Sequence, residues 1–326
     1  MAVSWLIPVR NGRRWIGACV ASALAECDDS DQVVVVDDGS SDAPEQACPD
    51  DPRIVWLRQP PEGIVAALER GRLACRHPLI ARLDADDLAL PGRIAQQAAL
   101  MASDSRMAVV GGGAQMVRED GADNAGMRAY VDWVNGLEDL RSALLVESPL
   151  FHPAVLMRAE AIAEVGGYRS GDFPEDYDLW LRLAGAGFSL ASVSGPVVRI
   201  RDRSDRLTRA DSRYRREAFE QLKREWLAIH VLDRSPRLAL WGAGKTGRRW
   251  LRWLLAEGHQ VEAVIDGFGA TSRQGVPVLP PSELVGLEVD LLLVAVGARG
   301  ARNQIRDSIA FSRPEWLEGR DWWCLA

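Results

Sequence analysis

Short apolar runs and amphipathic stretches alternate along the first part of the chain. The four consecutive valines at 33–36 are apolar on both faces, which is typical of a strand covered by helices on both sides. We predict strands over residues 3–8, 32–37, 54–57 and 79–84. Helices are predicted over the intervening residues 14–24 and 64–75. This repeated order of strand and helix predicts an α/β fold with a mostly parallel sheet.

The alternation continues and then begins again near the C-terminus. Further elements are predicted as a strand over 107–117 and helices over 159–165, 178–186 and the highly charged stretch 209–231. Ser235 and Pro236 interrupt the chain before a fresh apolar run and a glycine-rich turn. We therefore predict two domains, residues 1–233 and residues 234–326, of which the second is a small Rossmann-like unit.

Length and composition agree with two folded domains. With 326 residues the chain exceeds the size at which one hydrophobic core usually stops growing, and 47% of its residues are hydrophobic. The formal net charge of -7 argues against nucleic acid as a partner, because phosphate contacts require a basic surface. The five cysteines include no CxxC pair, so we expect reduced thiols rather than a zinc site or disulfides.

Neither a signal peptide nor a membrane helix is predicted. The apolar stretch at 3–9 is interrupted by Pro8 and closed by Arg10, and no run approaches the roughly 18 apolar residues of a membrane helix. We expect a cytoplasmic protein. The alternative is a peripheral position at the inner face of the membrane. The arginine-rich stretch 209–231 is either a solvated helix face or a surface that binds an anion or faces the membrane.

Two aspartates with one residue between them follow a predicted strand. Asp84 and Asp86 can approach one hard cation from the same side, and Mg²⁺ or Mn²⁺ prefers such oxygen ligands. A nucleotide diphosphate would complete the coordination shell. The alternative is structural, since Asp86 or Asp87 could cap a helix that begins near Pro91.

A second acidic turn follows the predicted strand over 32–37. Asp37 and Asp38 precede Gly39 and Ser40, a composition that a tight turn uses for purely structural reasons. Ligands of open α/β sheets bind beyond the carboxyl ends of the strands, so this turn could instead accept a base N–H or a ribose hydroxyl. Pro8 and Arg10 follow the first strand and would line the same edge.

Glu175 and Asp176 precede a predicted helix, and a lone carboxylate beside a sugar acceptor is a natural general base. The alternative is again a helix cap. His152 is a candidate substrate contact, although a single histidine is more often a packed residue. Arg82 could neutralise phosphate charge or pair with a neighbouring aspartate.

Taken in chain order, these motifs resemble family 2 glycosyltransferases with the GT-A fold. The resemblance covers roughly residues 1–205, and an arginine stands at position 10, where an aromatic residue is common in the family. Several short motifs in one order are far more specific than any one of them. The motifs are Ile7-Pro8-Val9-Arg10-Asn11, Val35-Val36-Asp37-Asp38-Gly39-Ser40-Ser41-Asp42, Ala81-Arg82-Leu83-Asp84-Ala85-Asp86-Asp87, His152-Pro153 and Glu175-Asp176-Tyr177-Asp178-Leu179-Trp180.

The resemblance implies a role for each matching position. Asp38, with Pro8 beside it, would contact the base and ribose, and Asp84 would lie near the ribose and the metal. Asp86 would ligate the metal. Asp176 would be the general base, and Glu175 would hold the acceptor or orient that aspartate. One base and one metal suit a direct displacement with inversion at the anomeric carbon.

The glycine-rich turn of the second predicted domain has the context of a dinucleotide fingerprint. Gly242, Gly244 and Gly247 follow a strand and open a helix, and Asp266 follows the next strand. The domain resembles small Rossmann-like domains appended to sugar-modifying enzymes, which bind a nucleotide or serve assembly. Trp316, Trp322 and Trp323 near the end form either a homo-oligomer contact or a tail packed on its own domain.

Our leading hypothesis is an inverting glycosyltransferase that uses a nucleotide-sugar donor, with UDP as the first guess. A saccharide or lipid-linked acceptor in cell-surface polysaccharide or glycoconjugate synthesis is expected. One alternative is a catalytically silent nucleotide-sugar sensor. A second is an NAD-dependent oxidoreductase based on the C-terminal motif. A third, a sugar-nucleotide-forming transferase, would be expected to have a glycine-rich basic loop after the first strand.

Overall fold

The computed structural model describes residues 2–118, 125–203, 206, 211–267, 271–298 and 300–326. The chain divides into two compact units. The first runs from the N-terminus to Leu140 and resumes over Pro149–Leu222, and the second comprises Arg141–Ser148 and Lys223–Ala326. The sequence boundary at residue 233 stays a prediction. Part of the stretch 209–231 lies outside the described residues.

The described residues of the first unit form an eight-stranded sheet in the order β3-β2-β1-β4-β7-β6-β8-β5. Its strands are β1 Val3–Val9, β2 Gln32–Asp38, β3 Ile54–Gln59, β4 Leu79–Arg82, β5 Leu88–Ala89, β6 Met107–Arg118, β7 Leu156–Arg158 and β8 Ser189–Asp202. The helices among the described residues up to 230 are α1 Arg13–Leu24, α2 Ile64–Ala74, α3 Arg93–Ala102, α4 Ala125–Asn135, α5 Leu140–Ala143, α6 Ala159–Glu164, α7 Glu175–Gly185 and α8 Arg216–His230, of which α5 and α8 include residues of both units.

The four N-terminal strands are parallel and share one carboxyl edge. β1 pairs with β2 and β4, and β2 pairs with β3. The valines at 33–36 are completely buried, because helices cover both faces of this part of the sheet. The mostly parallel α/β fold predicted from the sequence is confirmed, and it brings the turns after β1, β2 and β4 to the same edge.

The sequence pattern missed a short antiparallel strand in the middle of the sheet. β7 lies between β4 and β6 and runs opposite to both. Buried polar side chains of α3 satisfy the backbone there, as buried carbonyls require. The Arg93 guanidinium donates to the carbonyl oxygens of Arg82, Pro153 and Val155 at 2.8–3.0 Å. Gln97 donates to carbonyl oxygens of β6 and of the turn before β7.

The second unit has a six-stranded sheet in the order β11-β12-β10-β9-β13-β14. All neighbours are parallel except β11 and β12. The order of its parallel strands follows the Rossmann pattern, in which the crevice opens where the order reverses beside the first strand. Its elements are β9 Leu238–Trp241, α9 Lys245–Ala256, β10 Val261–Ile265, β11 Ser272–Arg273, β12 Val276–Leu279, β13 Leu291–Val294, α10 Ala301–Ser312 and β14 Trp322–Cys324.

The C-terminal tail packs within the second unit. Trp322 and Trp323 are at most 4% exposed and belong to β14, which pairs with β13. This agrees with the alternative of a tail folded onto its own domain. Trp316 is partly exposed. None of the described helices is both long enough and apolar enough to cross a bilayer.

The close packing at the glycine-rich turn of the second unit can be tested by substitution. Gly247→Ala would place a Cβ 1.7 Å from the Gly242 carbonyl oxygen, so α9 must move away from β9. We expect a loss of about 3 kcal/mol in the free energy of unfolding, measured by urea denaturation. Gly244→Ala is the control, because its Cβ would meet no heavy atom within 4 Å. Equal stability of the two variants would contradict this packing.

Candidate active site

Hydrogen bonds join the turns that follow β1 and β2. Asn11, with φ of 52°, donates its backbone N–H to Ser40 Oγ at 2.8 Å, and its side-chain oxygen accepts from the Ser41 N–H at 2.9 Å. Asp37 is completely buried and accepts from the Ser40 N–H and from Arg58. Asp37 therefore has the structural role that a tight turn gives to such a residue.

Asp38 ends β2 and is 4% exposed. Its Oδ1 accepts from Gln59 Nε2 and from the Glu62 N–H, both at 2.8 Å, and its Oδ2 accepts from the Gly63 N–H at 2.9 Å. These donors precede α2 and hold the carboxylate in one orientation. Each carboxylate oxygen has two acceptor positions, so Oδ2 has capacity for one further donor.

Pro8 and Arg10 lie beside that carboxylate. Pro8 is buried within β1 and lies opposite Val36 of β2. The pairing of β1 with β4 ends before Pro8, so the missing N–H of the proline costs no hydrogen bond between these two strands. The Arg10 side chain is 56% exposed, and its Nη1 lies 4.0 Å from Asp38 Oδ2. The structure therefore brings Pro8, Arg10 and Asp38 together at one edge.

Three carboxylates cluster after β4. One oxygen from each of Asp84, Asp86 and Asp87 lies within 4.8 Å of the others. Asp87 is completely buried and accepts from the Arg201 N–H at 2.9 Å, whereas the Asp84 and Asp86 side chains are 24% and 17% exposed. The two partly exposed carboxylates are therefore the ones that an incoming cation can reach.

Guanidinium groups surround this cluster. Arg82 Nη2 lies 2.6 Å from Asp84 Oδ1, Arg206 Nη2 lies 3.7 Å from Asp84 Oδ2, and Arg203 Nη2 lies 3.3 Å from Asp86 Oδ2. Arg82 is 3% exposed, and its Nε and Nη1 have no hydrogen-bond partner among the described residues. Buried donors of this kind are costly unless a ligand satisfies them. Arg82 thus both pairs with an aspartate and keeps donors for an anion.

The charges separate the pKa values of the three aspartates. Burial alone would raise the pKa of Asp84, but the guanidiniums of Arg82, Arg206 and Arg203 outweigh it and lower that pKa. Burial, followed by repulsion from Asp84, raises the pKa of Asp86 and raises that of Asp87 further. Asp84 is therefore the most firmly ionised member of the cluster.

The helix-cap alternative for this cluster is wrong. α3 begins after Gly92, which is its N-cap residue and has no side chain to cap the helix. Instead Glu26, on the loop after α1, accepts from the Gly92 and Ile94 N–H groups at 2.8 and 3.1 Å. The cluster has only hard oxygen atoms to offer, and this donor set fits Mg²⁺ or Mn²⁺.

Glu175 and Asp176 form the first turn of α7, where Pro174 occupies the N-cap position without a side-chain bond. Glu175 is 3% exposed, and its Oε2 accepts from the Tyr214 hydroxyl at 2.8 Å. Asp176 Oδ1 accepts from the Tyr177 N–H at 2.7 Å. Asp178, one turn on, pairs with arginines instead.

Burial gives Asp176 the properties of a general base. Burial first, and then the charge of Glu175, raises the pKa of Asp176 to about 7. A carboxylate with a pKa near neutrality accepts a proton far more readily than an ordinary aspartate and is still half ionised at neutral pH. The first turn of α7 can therefore remove a proton from a hydroxyl group.

His152 is a packed residue behind this turn. It is 6% exposed, its Nε2 lies 2.9 Å from the Tyr168 hydroxyl, and its ring meets the edge of Trp180. Burial first, and then the Arg82 charge, lowers its pKa well below the usual value, so the ring is neutral. A direct substrate contact by His152 stays a prediction.

A polar cavity of about 350 Å³ opens next to this site. Its wall includes Gly63, which binds Asp38, and Arg213, the residue before Tyr214. This is the lower part of the volume range of small-molecule sites. The lining segments are 62–65, 170–172 and 211–213.

Four residues of this site were not found from the sequence. Tyr168 and Tyr214 are single aromatic residues without a motif. Arg203 and Arg206 belong to a series with Arg199 and Arg201 at the end of β8 and just beyond it. A series of arginines that follows a strand, in an acidic protein, was the available signal.

The glycine-rich turn of the second unit has the geometry of a dinucleotide-binding fingerprint, and the acidic residue of that fingerprint, Asp266, accepts a hydrogen bond from the turn itself. Gly242 has φ of 123°, Gly247 packs against the Gly242 carbonyl, and Gly244 has open space around it. Asp266 Oδ2 accepts from the Ala243 N–H at 2.6 Å. That bond helps to order the loop, and it leaves the carboxylate with further acceptor positions in principle. Nucleotide binding by these residues stays a prediction.

Comparison with known proteins places these observations in a family. The model of "Glycosyl transferase family 2" matches residues 4–166, which are 163 of the 326 residues. The amylovoran biosynthesis glycosyltransferase AmsE of Erwinia amylovora is 29% identical over 143 residues, 44% of this chain and 52% of its own. An Escherichia coli UDP-Gal:alpha-D-GlcNAc-diphosphoundecaprenol beta-1,3-galactosyltransferase is 27% identical over 139 residues, 43% of this chain and 49% of its own. The match thus spans about half the length of either relative.

A solved structure shares the fold. The crystal structure of S. aureus TarS 1-349 in complex with UDP-GlcNAc superposes with a TM-score of 0.53 at 16% identity, covering 72% of this chain and 67% of that one. At this level of identity the likeness concerns the fold alone. It confirms the GT-A-type architecture expected from the sequence motifs.

The pKa of Asp176 provides a direct test of the site. Replacing the neighbouring charge in Glu175→Gln should move the titration midpoint of Asp176 from about 7 to lower pH, because the repulsion disappears while Gln can still accept from Tyr214. The measurement is the ¹³C NMR titration of the Asp176 carboxyl. Glu164→Gln, an equal charge change at an exposed position of α6, is the control. A midpoint that stays at about 7 in Glu175→Gln would refute the coupling.

Proposed function

Because this chain belongs to glycosyl transferase family 2, we propose that it transfers a sugar from a nucleotide-diphosphate donor to an acceptor hydroxyl, with inversion at the anomeric carbon. The observation that carries the proposal is Arg82. This buried cation is paired with Asp84 of the acidic cluster, and its Nε and Nη1 have no hydrogen-bond partner in the part of the chain that the structure describes. A diphosphate has the charge and the acceptor atoms that such donors require.

The nucleoside would bind at the edge formed by β1 and β2. Asp38 is held by three donors and keeps one acceptor position for a base N–H or a ribose hydroxyl. Arg10 is mostly exposed 4.0 Å from that carboxylate and can lie along the base. Pro8 forms the apolar floor next to it.

Asp86 and Asp84 would hold a divalent cation, Mn²⁺ or Mg²⁺. When bound, such an ion supplies positive charge that stabilises the leaving diphosphate. Arg82 contributes a fixed positive charge from the protein itself, in a buried position where it acts more strongly than in water. Hard-cation selectivity follows from a set of ligands that contains only carboxylate oxygens.

Asp176 would take the proton of the acceptor hydroxyl as that oxygen attacks the anomeric carbon. Its pKa of about 7 suits this step, and burial first, then repulsion from Glu175, raise the pKa to that value. Glu175 is in turn oriented by Tyr214, so we assign it a positioning role. One base without a nucleophile supports a single displacement, and hence inversion.

The relatives support a narrower proposal for the substrates. One is named for amylovoran biosynthesis and the other for a UDP-galactose donor with a diphosphoundecaprenol-linked acceptor. We infer a UDP-sugar donor and a saccharide or lipid-linked acceptor of cell-surface glycoconjugate synthesis. An acceptor of that kind would place the protein at the inner face of the membrane, where the acceptor is found.

A sensor without catalysis is the competing function, and the raised pKa of Asp176 argues against it. A binding protein gains nothing from a partly buried carboxylate with a pKa near 7, since an ionised aspartate is easier to accommodate in its ordinary state. An oxidoreductase would leave the acidic cluster and Arg82 without a function.

Donor binding is tested by calorimetric titration of UDP with and without Mn²⁺. Asp86→Asn should weaken Mn²⁺-dependent binding on the order of 100-fold, because a metal ligand loses its charge. Asp50→Asn, at an exposed position between β2 and β3, is the control and should bind as the wild type does. Unchanged binding in Asp86→Asn, or binding that ignores Mn²⁺ in the wild type, would contradict the assignment of the metal ligands.

Catalysis is tested separately with Asp176→Asn. We expect release of UDP from a panel of UDP-sugars, with a lipid-linked acceptor fraction present, to fall by about 10³-fold while UDP binding stays unchanged. The substitution keeps the size of the side chain and removes the base. Unchanged turnover in Asp176→Asn would contradict the assignment of Asp176 as the base. A wild type that binds UDP without turnover would favour the catalytically silent nucleotide-sugar sensor.

A further inference from the structure

Two arginines near the end of β8 occupy the carboxylates of the acidic cluster. Arg203 Nη2 lies 3.3 Å from Asp86 Oδ2, and Arg206 Nη2 lies 3.7 Å from Asp84 Oδ2. Both side chains are largely buried, at 19% and 15% exposure. The carboxylates that face an incoming cation therefore already have cationic partners, and a metal ion must compete with them.

The net charge of the cluster shows what this competition implies. Three carboxylates, those of Asp84, Asp86 and Asp87, face three guanidiniums, those of Arg82, Arg203 and Arg206. The buried Asp202 carboxylate also acts on Arg206. Even with all four carboxylates ionised, a divalent cation alone would leave an excess of one positive charge in a poorly hydrated site, which is unfavourable. A diphosphate that arrives with the cation removes this excess.

The position of Arg203 suggests how its side chain could exchange partners. Its guanidinium carbon lies 4.0 Å from the centre of the Trp15 ring, a cation–π contact that does not depend on Asp86. A guanidinium held in this way can turn from a carboxylate to a neighbouring phosphate without leaving the site. The planar arrangement of its N–H groups suits both kinds of oxyanion.

We propose that Arg203 and Arg206 hold the metal-ligating carboxylates in the donor-free protein and pair with the diphosphate once metal and donor are bound. The metal and the nucleotide then bind as a pair, and neither binds tightly alone. This inference rests on the proposed function, because it requires a nucleotide diphosphate at this site. It concerns the order of binding, which the transfer reaction itself does not specify.

Removing either arginine should change two affinities in opposite directions. Arg203→Ala or Arg206→Ala frees a carboxylate, so the variant should bind Mn²⁺ alone about tenfold more tightly than the wild type. The same variant lacks a phosphate partner, so UDP in saturating Mn²⁺ should bind about tenfold more weakly. Opposite signs are diagnostic, because a general disturbance of the site would weaken both affinities.

The experiment combines two titrations of the full chain. Free Mn²⁺ is measured by electron paramagnetic resonance without nucleotide, and UDP binding is measured by calorimetry at saturating Mn²⁺. Arg203→Lys and Arg206→Lys keep the charge and should lie between the wild type and the alanine variants. Arg199→Ala removes an exposed arginine of β8 and should match the wild type in both titrations.

The outcomes separate this inference from the proposed function. Tighter Mn²⁺ binding together with weaker UDP binding supports the exchange of partners. Affinities that fall together, or that do not change, in the alanine and lysine variants overturn it, even though wild-type binding of Mn²⁺ and UDP is intact. A wild type that binds no UDP with Mn²⁺ contradicts the proposed function itself and removes the basis of the inference.

Discussion

The site depends on one buried cation, the guanidinium of Arg82 at the end of β4. A charge that is only 3% exposed must be compensated, and the Asp84 carboxylate at 2.6 Å provides the compensation. The same charge helps to lower the pKa of Asp84, lowers that of His152 and opposes the rise at Asp176. One arginine therefore helps to keep Asp84 ionised, adds to the burial that keeps His152 neutral, and opposes the rise that burial and Glu175 cause in the pKa of Asp176. Its Nε and Nη1 have no partner among the described residues, so a ligand that accepts hydrogen bonds from them would gain binding free energy.

The fold explains why that cation can be held so precisely. The parallel pairing of β1 with β2 and β4 brings three turns to one edge, and the short antiparallel β7 continues the sheet beside β4. The guanidinium of the buried Arg93 of α3 donates hydrogen bonds both to the Arg82 carbonyl and to the carbonyl of Pro153, in the turn that also contains His152. Arg93 therefore ties the strand end that precedes the acidic cluster to the turn that contains His152. An arrangement of this kind keeps charged groups in place without help from solvent.

The sequence was informative where a pattern has a local cause. The valines at 33–36 predict a strand buried on both faces, and the acidic turns after β2 and β4 follow from the position of strand ends in an α/β sheet. The grouping of Asp84 and Asp86 was visible because the two residues are close in sequence. Tyr214 lies 39 positions from Glu175, and Arg203 and Arg206 follow the acidic cluster by more than a hundred. Such contacts depend on the path of the whole chain, and no local pattern records them. The same is true of Glu26, which caps α3 from a different helix–loop segment.

We expect Arg82 and the cluster after β4 to receive the diphosphate of a nucleotide. A crystal structure with UDP and Mn²⁺, with data collected at the manganese absorption edge, tests this most directly. We expect an anomalous peak bound by Asp86 and Asp84, with phosphate oxygens on the Nε and Nη1 atoms of Arg82. A nucleotide bound at Gly242, Gly244 and Gly247 of the second unit, with no manganese at the cluster, would contradict it.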